Sequence, residues 1–252
     1  MCTSVILFRK NSNWPLILAT NRDEYFNRKS LPPGKHWKNQ PNIIGGLDRL
    51  AGGTWCAVNE SGLVACIHNR TLGVRSFTNK SRGEIIIKIL KGKNINEAKK
   101  ILEYLDLSDY QGFNLIFGNN EKLYWLKHSD SNPTSQLSIN NIPEGISVIT
   151  NCDLNDIRDK KTKYYIKEFS NTPYPNPDSQ NWLYWEALLK NDKIEKQTKP
   201  EESICFNINN KFGTVSSAII CLKNEKKTNG SIIYRYTEGP PNINIYKNVK
   251  LL

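Results

Sequence analysis

The stretch MCTSVILFRKNSNWPLILATNRDE, residues 1–24, decides how the fold begins. Two apolar runs flank a polar turn, which is the pattern of a β-hairpin. With the turn at its centre, antiparallel pairing places Cys2 opposite Asn21 or Arg22, where directly paired side chains approach to about 5 Å. The predicted hairpin therefore brings Cys2 beside the polar cluster of residues 21–24.

Cys2 is a candidate nucleophile because removal of Met1 would leave a thiol and a free α-amine on the same residue. Such an amine titrates near ~7.7 to 8.0 and an unperturbed thiol near ~8.5, so the amine can accept the thiol proton close to neutral pH. This is the arrangement of an N-terminal nucleophile. The alternative is that a cysteine stands at position 2 by chance.

The neighbouring Arg22 and Asp23 carry chemistry that suits such a nucleophile. A guanidinium could stabilise the thiolate or bind a substrate carboxylate. Asp23 could orient the α-amine by accepting its protons. The alternative is a solvated strand end in which Arg22 and Asp23 satisfy each other.

Short motifs continue in order along the rest of the chain. After Met1-Cys2-Thr3 and Asn21-Arg22-Asp23-Glu24 come Gly45-Gly46-Leu47-Asp48, Ala51-Gly52-Gly53-Thr54-Trp55, His68-Asn69-Arg70, Ser81-Arg82-Gly83-Glu84, Tyr110-Gln111-Gly112-Phe113-Asn114-Leu115, Val148-Ile149-Thr150-Asn151 and Phe212-Gly213-Thr214-Val215-Ser216-Ser217. This series resembles the NRDE family, the family of the transport and Golgi organisation protein 2 homologues. The family in turn resembles the cysteine N-terminal nucleophile hydrolases of the bile-salt hydrolase and penicillin V acylase kind.

The resemblance implies a role for several residues. Cys2 would be the nucleophile and its amine the base, while Asn69 and Asn151 would hold the developing oxyanion. An amide N–H aimed at that oxygen is worth about 3 to 4 kcal/mol of barrier in a dry site. The alternative for either asparagine is a turn residue whose side chain caps its own backbone.

One position departs from the family pattern. Family members usually carry an arginine after the Gly-Thr pair, where this sequence has Val215. In the hydrolase relatives an arginine from this part of the fold lies by the cysteine and supports its charge. Either Arg22 alone supplies the positive charge here, or the pocket is a binding site with a vestigial nucleophile.

Composition narrows the class of protein. The six cysteines stand singly without a Cys-x-x-Cys pair, which predicts a reduced protein with no metal site and only Cys2 poised to react. The net charge of +11 comes mostly from scattered lysines, so we do not expect nucleic-acid binding, although the field could attract an anionic small molecule. No apolar stretch reaches the ~18 residues of a membrane span, and no leader is recognised, so we expect a cytoplasmic protein.

The order of predicted elements favours an α+β fold. Hairpins precede a helix pair, whose starts are predicted from the capping-box pattern at Ser81 and from Asn96, and further strands and helices follow. No linker divides the chain, which predicts a single domain over residues 1–252. The resemblance implies a four-layer αββα sandwich of two antiparallel sheets, like that of the N-terminal nucleophile hydrolases.

Two functions remain open at this stage. The first is an amidohydrolase that cuts a linear amide, with the hydrophobic acyl group held by aromatic side chains such as Phe26, Trp37 and Trp55. The second is a non-catalytic binding or trafficking protein for haem or an acyl lipid, because NRDE homologues are linked to haem mobilisation and to lipid and secretory homeostasis. No cofactor is predicted, and haem is considered only as a bound cargo. The candidate ligand-binding residues are Asn21, Phe26, Trp37, Trp55 and His68.

Overall fold

The computed structural model describes residues 2–70, 80–129, 138–195, 198–224 and 232–251. Its strands are, in chain order, β1 Thr3–Phe8, β2 Leu16–Tyr25, β3 Ser30–Gly34, β4 Ile43–Asp48, β5 Cys56–Asn59, β6 Val64–Asn69, β7 Phe113–Gly118, β8 Leu123–His128, β9 Ser138–Asn141, β10 Gly145–Ile149, β11 Asn207–Ile208, β12 Phe212–Leu222, β13 Ile232–Glu238 and β14 Lys247–Asn248. Its helices are α1 Gly83–Ile89, α2 Ile95–Glu103, α3 Lys160–Asn171 and α4 Leu183–Leu189, with a short 3-10 helix at Pro200–Glu202.

The chain divides into two compact units, each with its own antiparallel sheet. The first unit combines the described residues up to Asn27 with Pro143–Lys250, and the second contains Arg28–Ile142. In the first unit the strand order is β10-β1-β2-β12-β13-β14, with β11 also paired to β12. In the second unit the strands follow chain order from β3 to β9.

The predicted N-terminal hairpin is confirmed. Strands β1 and β2 pair from Thr3 with Asn21 to Phe8 with Leu16. Strand β10 pairs on the other side of β1, so β1 lies inside the sheet and all six of its residues are buried. The end of β1 next to Cys2 is therefore enclosed by neighbouring strands.

Helices α3 and α4 cover one face of this first sheet. Because side chains alternate along a strand, alternate apolar residues of β1 and β2 face the helices, and they share one core cluster with them. That cluster includes Val5, Leu7, Ile17, Ala19, Tyr165, Phe169, Trp185 and Leu189.

Helices α1 and α2 pack on the second sheet, and their N-caps lie one or two residues from the predicted ones. The N-cap of α1 is Arg82, whose side chain makes no capping bond, while Ser81 Oγ accepts from Gly83 N–H at 3.3 Å and Glu84 bonds Lys88. The N-cap of α2 is Asn94, whose Oδ1 accepts from the backbone N–H groups of Asn96 and Glu97 at 3.1 Å. An asparagine two residues earlier therefore satisfies the N–H groups that the first turn leaves open.

The prediction of an α+β fold with two antiparallel sheets is confirmed. The prediction of a single domain remains a prediction. Among the described helices, none combines the length and the apolar character needed to cross a bilayer.

Candidate active site

The register of the first sheet brings Cys2, Arg22 and Asn151 to one end of three neighbouring strands. The pair nearest that end joins Thr3 to Asn21, so the next position on each strand sets Cys2 against Arg22. On the other side, Ser4 pairs with Ile149, and the same register continued by two residues sets Cys2 against Asn151. The predicted hairpin is confirmed as far as the pair of Thr3 with Asn21, and the placement of Cys2 beside Arg22 follows when that register is continued by one residue.

Asp23 is enclosed at the same end of the sheet. It is 5% exposed, and its Oδ1 accepts a hydrogen bond of 2.8 Å from Thr214 Oγ1. Thr214 also anchors the backbone, because its Oγ1 accepts from Phe206 N–H at 3.2 Å. The threonine of the Gly-Thr motif thus fixes where the carboxylate lies.

Val215 is the extra residue of a β-bulge. Thr214 pairs with Asp23 and Ser216 with Arg22, so the register shifts between these two pairs and Val215 has no opposite residue on β2. Bulges occur next to active sites, where they turn a side chain out of the regular alternation. The position at which the family resemblance leads us to expect arginine is a bulge here, and the residue in it has no charge.

Asn21 is part of the scaffold of this site. Its side chain is fully buried, and Nδ2 donates to the carbonyl oxygens of Leu189 at 3.0 Å and Ile204 at 2.9 Å. These bonds tie the end of α4 and the segment before β11 to the sheet. A direct contact between Asn21 and a ligand remains a prediction.

Lys161 is a functional candidate that sequence reasoning missed. It is 5% exposed, and its Nζ donates to Thr3 Oγ1 at 3.3 Å. It also lies over the ring of Phe206, 5.1 Å from the ring centroid. Burial lowers the pKa of the Lys161 ammonium, and the Asp23 and Asp159 carboxylates oppose that shift.

A signal for Lys161 was present in the sequence. Along α3 the buried residues include Lys161, Tyr165 and Phe169, which are spaced by four and share one face of the helix. A lysine at the head of an apolar stripe is unusual because lysine is rarely buried. The general abundance of lysine in this chain concealed that position.

The start of α3 is attached to the strand ends by Asp159. Its Oδ2 accepts from Thr162 N–H at 2.9 Å and from Thr162 Oγ1 at 2.6 Å, and it also accepts from Thr150 Oγ1 at 3.4 Å. Thr150 belongs to the Val148–Asn151 motif. This N-cap therefore determines how the first turn of α3, which carries Lys161, meets the end of β10.

Four of the other five cysteines are more deeply buried than Cys2. Cys2 and Cys152 are half-buried, whereas Cys56, Cys66, Cys205 and Cys221 are buried. Burial raises the pKa of Cys205 to about 11, so this thiol stays protonated at neutral pH. Its environment suits a small core residue rather than a nucleophile.

Most of the other predicted residues lie in the second unit. Asn69 ends β6 and is exposed, while Trp37 is half-buried and its Nε1 donates to Gly52 O at 2.9 Å. Trp55 is 8% exposed and packs over Gly46, where an added Cβ would lie 2.2 Å from the indole ring. Phe26, in the first unit, is half-buried.

Two of the glycine motifs in the second unit hold backbone segments together. A Cβ on Gly53 would lie 2.6 Å from the carbonyl carbon of Gly83, and Thr54 N–H donates to Gly83 O at 3.2 Å. Only glycine permits an approach this close. These glycines therefore allow the segment before β5 to pack closely against the start of α1.

His68, one of the candidate ligand-binding residues, is fully buried. Its Nε2 lies 3.5 Å from Cys66 Sγ. Across the described part of the chain, no group of three or more His, Cys, Asp or Glu side chains could hold a metal ion. Haem as a bound cargo remains a prediction.

Two solved structures share this fold. The C2A mutant of conjugated bile acid hydrolase from Clostridium perfringens is 13% identical, covers 99% of this chain and 97% of its own, and has a TM-score of 0.52. The N-acylethanolamine-hydrolyzing acid amidase orthologue from Caenorhabditis elegans is 12% identical, covers 87% and 92%, and has a TM-score of 0.55. At these identities the likeness shows the fold alone, which is that of the N-terminal nucleophile hydrolases.

The family is shown by the sequence match. Residues 1–235 match the family model described as Transport and Golgi organisation 2, and the chain belongs to this family. The mouse Transport and Golgi organization 2 homolog is 34% identical over 106 residues, 40% of this chain and 37% of the relative. The Drosophila melanogaster protein is 33% identical over 132 residues, 46% of this chain and 45% of the relative. These matches thus span less than half of each relative.

Proposed function

We propose that this chain is a cysteine amidohydrolase that cleaves a linear amide through Cys2. The observation that carries the proposal is the meeting of Cys2, Arg22 and Asn151 at adjoining strand ends, with Asp23 enclosed beside them. A thiol, a cation, an amide donor and a carboxylate are the groups that acyl transfer requires.

The reaction follows from these groups once Met1 has been removed, a residue outside the described part of the chain. The Cys2 thiol passes its proton to its own α-amine, and the sulfur attacks the carbonyl carbon of the amide. The C–N bond then breaks as the amine returns the proton to the leaving nitrogen. Water attacks the resulting thioester, releasing the carboxylic acid and restoring the thiol.

The other polar groups support this sequence of steps. Asn151 donates to the oxyanion, and Arg22 balances the negative charge that develops on sulfur and oxygen. Asp23 accepts a hydrogen bond from the α-amine and so directs the nitrogen lone pair to the thiol. The roles inferred from the sequence for Asn69, as an oxyanion donor, and for Phe26, Trp37 and Trp55, as contacts of an acyl group, remain predictions.

The substrate class is an amide that joins an apolar acyl group to a small amine. Conjugated bile acid and N-acylethanolamine are the substrates in the names of the two solved relatives, so both are suitable probes. Neither identity is high enough to choose between them.

The test is hydrolysis of both probes by protein whose intact mass shows Cys2 as the first residue. We expect turnover that falls by at least about a thousandfold in Cys2→Ala, because the covalent route is lost. Cys152→Ser, which changes the other half-buried thiol, should retain the parent rate. Retention of Met1, or equal rates in the parent and Cys2→Ala, would overturn the proposal. A ligand bound equally well by both proteins without turnover would favour a binding protein for an acyl lipid or haem.

A further inference from the structure

The ammonium of Lys161 contacts the residue that directly follows the candidate nucleophile. Its Nζ donates to Thr3 Oγ1 at 3.3 Å, and Thr3 follows Cys2 directly at the start of β1. Thr3 also pairs with Asn21, two residues before Asp23. The lysine therefore reaches the sheet at the end where the candidate site lies.

The position of Lys161 is fixed by its surroundings. The start of α3 is held by the Asp159 cap, and the Lys161 side chain passes over the Phe206 ring. With 5% of its surface exposed, the lysine has little access to solvent. Burying an ammonium is costly unless opposite charges or hydrogen bonds compensate, so its retention here calls for a reason beyond packing.

The ionisable groups near Lys161 oppose the effect of its burial on its charge. They are the carboxylates of Asp23 on β2, Asp159 at the start of α3 and Glu201 on the 3-10 helix, together with the thiol of Cys2. Each carboxylate favours the protonated lysine, and the protonated lysine in turn favours a thiolate over a thiol. Lys161 therefore couples electrostatically to both ends of the candidate machinery.

The first sheet already has one buried cation at this end. Arg22 on β2 is 4% exposed and pairs with Ser216, while Val215, in the adjoining bulge, carries no charge. Lys161 brings a second buried cation to the same end of the sheet from the helix layer.

We propose that Lys161 is a positioning residue that supplies, through Asp23 and Thr3, a second positive charge beside the Cys2 nucleophile. This inference rests on the proposed function. The charge of Lys161 attracts the Asp23 carboxylate, which orients the α-amine, and it favours loss of the thiol proton. It acts on the reacting atoms from a distance and does not contact the substrate.

The test needs no substrate. The rate at which iodoacetamide alkylates Cys2 is measured against pH by peptide mass, because only the thiolate reacts. In Lys161→Met we expect the midpoint of the profile to move upward by about one pH unit, equal to about tenfold slower alkylation on the acid side. Lys161→Arg, which keeps the charge, should keep the parent midpoint.

Lys160→Met is the matched control. Lys160 is the preceding residue of the same helix, its side chain is 64% exposed, and it pairs with Glu202 at 3.3 Å. Its removal changes the net charge equally but should leave the profile in place, because exposed charges are screened. If Lys161→Met does not fold, Lys161→Gln carries the test, since it keeps a hydrogen-bonding group for Thr3 and deletes the charge.

An unchanged midpoint in Lys161→Met or Lys161→Gln would overturn the inference, as would an equal shift in Lys160→Met. These outcomes are separate from those of the hydrolysis test. A chain that cleaves no amide but shows the Lys161-dependent shift refutes the proposed function and leaves the inference standing. If turnover requires Cys2 but the alkylation midpoint does not change in the Lys161 variants, the inference about Lys161 is refuted and the proposed function stands.

Discussion

Lys161 in the first unit and Lys88 in the second are both helical lysines beside carboxylates, yet the protein treats them in opposite ways. Lys88 Nζ lies 2.7 Å from Glu84 Oε1 and 3.0 Å from Tyr110 Oη, and its side chain is 36% exposed. Burial tends to lower the pKa of Lys88, but the bonds to Glu84 and Tyr110 outweigh it and raise the pKa. For Lys161, burial prevails and lowers the pKa.

The contrast between Lys88 and Lys161 shows that residue type and sequence spacing alone do not tell a surface ion pair from a buried, functional charge. Lys88 and Glu84 form an i,i+4 pair on a helix surface, an interaction worth a few tenths of a kcal/mol. Lys161 is enclosed with Asp23, where water cannot screen either charge. Perturbed ionisable groups of the enclosed kind are concentrated at functional sites.

The largest expected effect is on the free energy of unfolding, when one carboxylate is removed beside each lysine. Asp23→Asn leaves Lys161 facing a neutral amide and should lower the free energy of unfolding by about 3 kcal/mol. Glu84→Gln, at a partly exposed pair, should cost about 0.5 kcal/mol. Urea denaturation of the two variants measures both values. Similar losses would mean that the region around Lys161 is no more enclosed than a surface pair.

A smaller effect separates packing motifs from the chemical site. Gly46→Ala places a methyl group against the Trp55 ring and should cost about 1 to 3 kcal/mol in unfolding free energy. We expect the pH profile of Cys2 alkylation to stay at the parent position in this variant. A shifted profile would show that the packing of Trp55 also controls the nucleophile.

The smallest effect is the pH dependence of stability near the lysine titration. The pKa of Lys161 is lower in the folded protein than its ordinary value of 10.5, so just below pH 10.5 the unfolded chain binds more protons and stability rises with pH. The pKa of Lys88 is higher than 10.5 when folded, so its contribution is present below 10.5 and is lost as the pH rises above it.

Thermal unfolding midpoints of the parent, Lys161→Met and Lys88→Met between about pH 8 and pH 11 check these signs. Subtracting each variant from the parent removes the contributions of the other groups that titrate in this range. The two differences should have opposite slopes. Slopes of the same sign would contradict the assigned surroundings of one lysine.

Much of the fold could be predicted from local patterns. The N-terminal hairpin was predictable because its apolar runs and polar turn are short-range features, and its register was predicted to within one residue at Cys2. Both helices were predicted, but their N-caps are Arg82 and Asn94 rather than Ser81 and Asn96. Several polar residues near each start can cap the first turn, and local sequence does not decide among them.

The candidate site divides in the same way. Cys2, Arg22 and Asp23 lie close in sequence or in one hairpin, so their meeting could be predicted. Lys161 lies 158 residues from the Thr3 hydroxyl that it contacts, and no local pattern reports such a contact. The bulge at Val215 was likewise invisible, since it exists only in the pairing of β12 with β2.

The sequence by itself determined the family, the α+β class and the N-terminal hairpin that brings Cys2 to Arg22, because ordered motifs and alternating apolar residues are local properties. Tertiary structure alone decided that Asp23 and Lys161 are enclosed and that Val215 leaves the regular strand pairing. The physical reason is that burial depends on which distant segments cover a side chain. The behaviour of a charge depends on that burial far more than on its neighbours in sequence.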